Sequence, residues 1–118
     1  MDLLHFVESD EFGDDWRGMK LDVENDLWAL QTLIMAAPEA APLIKGTGGL
    51  RKLRFAPDRW KSGKSGAARI CYAYFKEHGL VLLVMAYGKG QKDTLTPDEK
   101  AGIKKYLAIV QNYLDTRD

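Results

Sequence analysis

The chain has 118 residues, of which 46% are hydrophobic and 29% charged, and its 17 Lys and Arg balance its 17 Asp and Glu. This length suits one ordinary domain with one modest core, and the composition excludes a disordered tail. We therefore expect residues 1–118 to form a single domain.

Cysteine content and hydropathy bear on the cellular compartment. The lone cysteine, Cys71, cannot form an internal disulfide, so we expect it to pack in the core of a protein that folds without an oxidising environment. No apolar run flanked by Lys or Arg opens the chain, and the longest apolar stretch, Leu80 to Tyr87, is too short to cross a bilayer. These features predict a cytoplasmic protein with no membrane partner.

The first third of the chain predicts a strand and two helices. Leu3 to Val7 is an apolar run typical of a strand, and Ser9 can cap a short helix whose apolar residues recur at helical spacing: Phe12, Trp16 and Met19. Asp22 and Pro38 bound a second helix. Its apolar stripe is predicted to contain Val23, Leu27, Leu30 and Ile34.

The remaining elements predicted are three strands and a last helix. The alternation in Leu50 to Phe55 places Lys52 and Arg54 on one strand face and the apolar residues on the other. Two further strands, Ala68 to Phe75 and Leu80 to Tyr87, turn at His78-Gly79, and the second is apolar enough to be central. The sequence Thr96-Pro97-Asp98-Glu99 is a capping box before a helix with the stripe Ile103, Leu107, Val110 and Leu114.

This order predicts an α+β fold. Two N-terminal helices and one C-terminal helix should pack against a mostly antiparallel sheet of about four strands.

Charge is distributed unevenly along the chain. Residues 45–69 contain eight Lys and Arg against one acid, Asp58, whereas residues 1–28 contain nine acids against two bases. Such a separation predicts a polyanion-binding surface on one part of the fold.

Four segments in chain order carry a family resemblance: GTGGLRK, a Gly- and Lys-rich loop followed by Arg69, AYGK, and DTLTPDEK. From about Glu8 to Leu114 the sequence resembles the RelE/ParE toxin superfamily, most closely its HigB-like branch. The resemblance implies a type II toxin that enters the ribosomal A site and cleaves mRNA without metal or another cofactor, by attack of a ribose 2′-hydroxyl on its own phosphate. The implied partners are ribosome, mRNA and a helix-turn-helix antitoxin, which would link the toxin indirectly to operator DNA.

Such a cleavage needs cations around the phosphate, an acceptor for the 2′-hydroxyl proton and a donor for the leaving oxygen. Arg offers a planar fork to phosphate oxygens, and a Lys crowded by cations can exchange protons near neutrality. Lys52, Arg54 and Arg69 are the first candidates, and the resemblance supports them and adds the end of the last strand. The catalytic candidates are therefore Lys52, Arg54, Arg69, Tyr87 and Lys89.

The general base is left open by the sequence. Gly90 stands where several RelE enzymes carry Arg, and no tyrosine follows before Tyr106. A ParE-like gyrase poison and a catalytically degenerate RNA- or ribosome-binding homologue are the alternative functions, although the basic strand argues against the first.

The remaining basic and aromatic residues are candidates for contacts with RNA or the ribosome. Solvation of a surface loop is the simpler explanation of the basic residues in the loop, whereas the tryptophan within that loop can stack on a base or on ribosomal RNA. The candidates are Arg51, Arg59, Trp60, Lys61, Lys64 and Lys92. His5 and His78 lack companions at metal-ligand spacing, so no metal site is predicted.

Overall fold

The structure is a computed structural model that describes residues 3–60, 66–88, 90–91 and 94–117, and these ranges contain four strands, three α-helices and a short 3₁₀ helix at Lys76–His78. In chain order the strands and α-helices are β1 (His5–Glu8), α1 (Asp10–Gly18), α2 (Asn25–Ala36), β2 (Leu50–Phe55), β3 (Ala68–Phe75), β4 (Leu80–Tyr87) and α3 (Pro97–Thr116). The predicted α+β class and element order are confirmed.

The sheet has the strand order β1-β4-β3-β2. Strands β2, β3 and β4 pair antiparallel, and β1 pairs parallel with β4. Strand β4 therefore lies inside the sheet, as its continuous apolar sequence predicted. A strand that is covered on both faces needs apolar residues at odd and even positions alike. The predicted opening strand begins two residues later than expected, where the His5 N–H donates to the Gly79 carbonyl.

Helices cover both faces of the sheet. One apolar cluster joins α1 and α2 to the sheet and includes Phe12, Trp16, Leu30, Ile34, Ile70, Tyr72 and Leu83. The other joins α3 to the opposite face and includes Leu50, Cys71, Leu82, Ile103, Leu107 and Leu114. None of the helices in the described ranges combines the length and apolar character needed to cross a membrane.

Side-chain caps mark the starts of α1 and α3. The Ser9 hydroxyl accepts from the Phe12 N–H at 3.0 Å, and Thr96 and Glu99 form both bonds of the predicted capping box. Helix α2 corrects a prediction, because it begins at Asn25 and leaves Val23 outside it, 64% exposed. The Asp22 carboxylate accepts from two later N–H groups and so builds a turn before the helix instead of serving as its N-cap.

The segment before β2 is tied down by one buried hydroxyl. Thr47 is fully buried, and its Oγ1 donates to the Ile44 carbonyl at 2.6 Å and accepts from the Leu50 N–H at 3.1 Å. Its neighbour Gly48 has φ +73°, and a Cβ there would lie 3.1 Å from the Lys104 side chain. This turn sets where β2 begins and hence which face Lys52 occupies.

We expect Thr47→Val to lower the free energy of unfolding by about 2 kcal/mol, because it leaves a buried N–H and a carbonyl without their shared partner. Thr47→Ser is the matched control, since it keeps the hydroxyl and should cost only about 1 kcal/mol for one methyl group. Urea unfolding measures both. An equal loss for the two variants would show that the methyl group and not the hydroxyl stabilises the turn.

Candidate functional site

Three strands bring three of the predicted catalytic residues into one row. Arg54 on β2 is paired with Arg69 on β3, and Arg69 is paired with Tyr87 on β4. Directly paired residues on adjacent strands project from the same face of a sheet, with Cβ atoms about 5 Å apart. These three side chains, which we call the basic row, lie at the end of the sheet where β4 finishes.

Lys52 lies beside the basic row, on the same face of the sheet. It pairs with Cys71, two residues before Arg54 along β2. Burial raises the pKa of the Cys71 thiol to about 12, although the positive charge of Lys52 acts in the opposite direction. The thiol is therefore protonated and part of the α3-side core, as predicted, and the cation beside it is Lys52.

The two arginines of the basic row differ in exposure. Arg54 is exposed, whereas Arg69 is only 8% exposed and its Nη1 donates to the Ala67 carbonyl at 2.6 Å. That bond fixes the Arg69 guanidinium at the base of the site. A fixed donor fork costs little reorganisation when it meets an anion, whereas Arg54 must be ordered by its ligand.

Arg51 projects from the other face and is held by the backbone. Its Nη1 donates to the carbonyls of Glu39 at 2.9 Å and Ala41 at 2.8 Å. The guanidinium thereby holds the segment between α2 and β2 against strand β2. Its predicted contact with RNA stays a prediction.

Arg59 makes an ion pair that the sequence reasoning missed. Its Nη1 and Nη2 donate to the two carboxylate oxygens of Asp26, at 2.6 and 2.5 Å, and the Asp26 carboxylate also accepts from the Asp22 N–H at 2.9 Å. Asp26 is 4% exposed, and the bond from Arg59 is the main cause that lowers its pKa. The pair joins the loop after β2 to the first turn of α2, so Arg59 has a structural role in addition to its predicted one.

The β4 end of the basic row borders carboxylates. A cavity of about 340 Å³ is lined by Tyr87 together with Glu11 and Asp15 of α1 and Glu99 of α3. Burial, together with the charges of Asp15 and Glu99, raises the pKa of Glu11. Asp15 Oδ2 accepts from the Ala86 N–H at 3.0 Å, which explains why α1 lies against this strand edge.

Of the remaining predicted residues, one is described by the structure and four are not. Trp60 is half-buried against the α1 and α2 core. Among the residues that the structure describes, no three His, Cys, Asp or Glu side chains group closely enough to hold a metal ion. Four predicted residues lie outside the described ranges: Lys61, Lys64, Lys89 and Lys92.

Solved structures of one bacterial toxin share this fold. The isolated E. coli RelE toxin is 20% identical, with a TM-score of 0.51 over 94% of this chain and 99% of that one. The intact E. coli RelBE toxin–antitoxin complex is also 20% identical, with a TM-score of 0.52 over 76% of this chain and 100% of that one. A free RelE double mutant gives 0.51 over 75% and 84%. No known protein-family model matches the sequence. The likeness establishes a RelE-like fold.

We expect Asp26→Asn to lower the urea midpoint at pH 7, because it removes the charged partner of Arg59. A carboxyl whose folded-state pKa is depressed stabilises the fold above its ordinary pKa of about 3.9, and this stabilisation is lost as pH falls through the folded-state value. The difference between wild type and variant should therefore be constant above about pH 5 and shrink below about pH 4.

Asp14→Asn is the matched control, since Asp14 pairs with Arg17 on an exposed helix surface. Exposed pairs contribute little, so its midpoint should stay near that of wild type. A pH-independent difference for Asp26→Asn would contradict the assignment of the depressed pKa to the ion pair.

Proposed function

We propose that this chain is a RelE-like toxin of a type II toxin–antitoxin pair that cleaves mRNA on the ribosome. The observation that carries the proposal is the basic row, with Lys52 behind it, on one face of a RelE-like sheet. Several cations close together on a sheet face can stabilise a phosphate group whose negative charge increases in the transition state. The HigB-like branch, the single-domain organisation and cytoplasmic action belong to the same proposal.

In the proposed reaction a ribose 2′-oxygen attacks the adjacent phosphorus. The new 2′-O–P bond forms as the P–5′-O bond breaks, so the products are a 2′,3′-cyclic phosphate and a 5′-hydroxyl. Arg69 binds a phosphate oxygen from its fixed position, and Arg54 closes on the other side of the phosphate. Both arginines stabilise charge that is largest in the transition state.

The two proton transfers fall to the remaining members of the site. Lys52 and Tyr87 are the predicted catalytic residues on this face that can take up or release a proton, and either can accept the proton of the 2′-hydroxyl. A pH–rate profile of Lys52→Met and Tyr87→Phe separates the two roles, because the variant that lacks the general base loses the rise in rate with pH. Lys89, next to this site in sequence, is proposed to help protonate the leaving oxygen.

The proposed partner is a cognate antitoxin. One solved neighbour is a toxin–antitoxin complex, which supports expecting such a partner for this chain. The excess of basic residues between 45 and 69 favours an antitoxin that presents carboxylates to this surface. A helix-turn-helix domain on the antitoxin would carry the pair to operator DNA.

We expect Arg54→Ala to slow single-turnover cleavage on saturated ribosomes about 100-fold, since it removes a transition-state contact. Arg54 is exposed and lies opposite another arginine, so its loss should not lower the urea midpoint. Arg69→Ala should be at least as slow, and because Arg69 is buried its folding must be checked by the same urea titration.

Arg17→Ala is the matched control for lost positive charge. Arg17 is exposed on α1, where its guanidinium pairs with Asp14, and its variant should cleave at the wild-type rate. A wild-type rate for Arg54→Ala and Arg69→Ala at saturation would place catalysis elsewhere and leave the basic row as an anchor.

We expect free mRNA to survive at toxin concentrations that cut translated mRNA, with or without added Mg²⁺, because the site relies on basic side chains and on the ribosome to order its substrate. Mapping of RNA ends after each reaction measures this. Metal-dependent cleavage of naked RNA would refute the mechanism. Ribosome binding without cleavage would identify a degenerate homologue, and DNA breaks with gyrase would identify a ParE-like poison.

A further inference from the structure

A second cavity lies at the outer edge of β2, beside the basic row. Its volume is about 590 Å³, and its lining includes Arg54, Pro57, Asp58, Trp60 and Ala67. Volumes of this order hold small organic ligands, and a single nucleobase fits with room to spare. Arg54 belongs to both the cavity and the basic row, so a group in this cavity can contact one arginine of the row.

Trp60 connects this cavity to the apolar core. One part of the side chain packs against the α1 and α2 core, and another part lines the cavity. The backbone N–H of Trp60 donates to the Pro57 carbonyl at 2.9 Å, and the preceding residue, Arg59, is bound through two guanidinium nitrogens to buried Asp26. An aromatic ring that already packs against the core loses little conformational entropy when a base stacks on it.

Asp58 gives the cavity a chemical preference. An ionised carboxylate only accepts hydrogen bonds, so it pairs with bases that present an exocyclic amino group, which are adenine, cytosine and guanine. Uracil presents two carbonyls on either side of a single N–H and repels a carboxylate with both. Arg54, at the boundary with the basic row, is placed to hold the phosphate that joins this base to the next nucleotide.

We propose that this cavity binds an unpaired nucleobase of the mRNA, with Trp60 as the stacking platform and Asp58 selecting against uracil. The inference rests on the proposed function for its substrate, because it takes that substrate to be RNA whose phosphate lies on the basic row. It adds a binding and specificity site to that function and assigns no part of the bond-breaking step to Trp60.

The test uses two separate measurements on the full chain. Binding of single-stranded RNA tetramers containing 2-aminopurine, in which stacking quenches fluorescence, is measured without ribosomes. Cleavage on ribosomes is measured with mRNAs that differ in the base next to the cut. Trp60→Leu should weaken tetramer binding about 10-fold and raise KM on ribosomes with kcat nearly unchanged, since one stacked base is lost. Asp58→Ala should equalise binding of tetramers that carry uracil or adenine at the tested position.

Trp28→Leu is the matched control, because Trp28 is a tryptophan on α2, 60% accessible, that is not among the residues lining the cavity. It should bind and cleave as wild type does. Trp60→Phe, which keeps a smaller ring, guards against misfolding of the leucine variant and should retain more than half of the fluorescence quenching.

The outcomes separate this inference from the proposed function. Unchanged tetramer affinity in folded Trp60→Leu, or no tetramer binding by wild type, overturns the base-binding cavity even if ribosomal cleavage stands. Base-selective binding that depends on Trp60 and Asp58, without cleavage by wild type, supports the cavity and refutes the nuclease.

Discussion

The register of the β2–β3–β4 ladder is the constraint on which the candidate site depends. Because side chains alternate along a strand, a one-residue slip of β2 against β3 would carry Lys52 and Arg54 to the face that packs against α1 and α2. Leu53 and Phe55 belong to that core, and they resist the slip because it would expose them. The basic face is thus specified by the apolar residues that alternate with it, and by the buried Thr47 hydroxyl that sets where β2 begins.

The paired arginines show a conflict between stability and binding. Like charges directly opposite each other on adjacent strands destabilise a sheet, and a guanidinium that is 8% exposed has lost most of its hydration. No such pair is needed to build the sheet, since Leu or Val at these positions would stabilise it. Local rules of this kind are broken mainly at functional sites, and an anion bound between the two arginines would offset both costs.

Sequence patterns predicted the elements well because each depends on local physics. Period-two alternation placed β2, continuous apolar character placed β4 inside the sheet, and the capping box placed the start of α3. The prediction failed at Val23, where helical spacing continued by chance into a turn built by the Asp22 carboxylate. Periodicity reports which residues can share a face, but a side chain that bonds to the backbone decides where the helix begins.

The side-chain contacts in and around the site could not be predicted from the sequence, because they join segments that are far apart in the chain. Arg59 and Asp26 are 33 residues apart, and the Arg51 guanidinium bonds to backbone carbonyls, which carry no residue signature. The carboxylates near Tyr87 come from two helices that only the packing on β4 brings together. The excess of acidic residues in the first 28 residues was visible in the sequence. The position of some of these residues beside the basic row could be seen only in the structure.

The position of these carboxylates makes the two ends of the basic row electrostatically different. Carboxylates of α1 and α3 border the row at Tyr87, whereas the opposite end, at Arg54, opens toward the cavity beside Trp60. A polyanion that contacts the row is repelled at the β4 end and attracted along the β2 edge. The separation of charge along the chain therefore becomes, in the folded protein, a change of charge across strands β2, β3 and β4. A polyanion bound to the row would therefore leave the arginines toward the cavity that Trp60 lines.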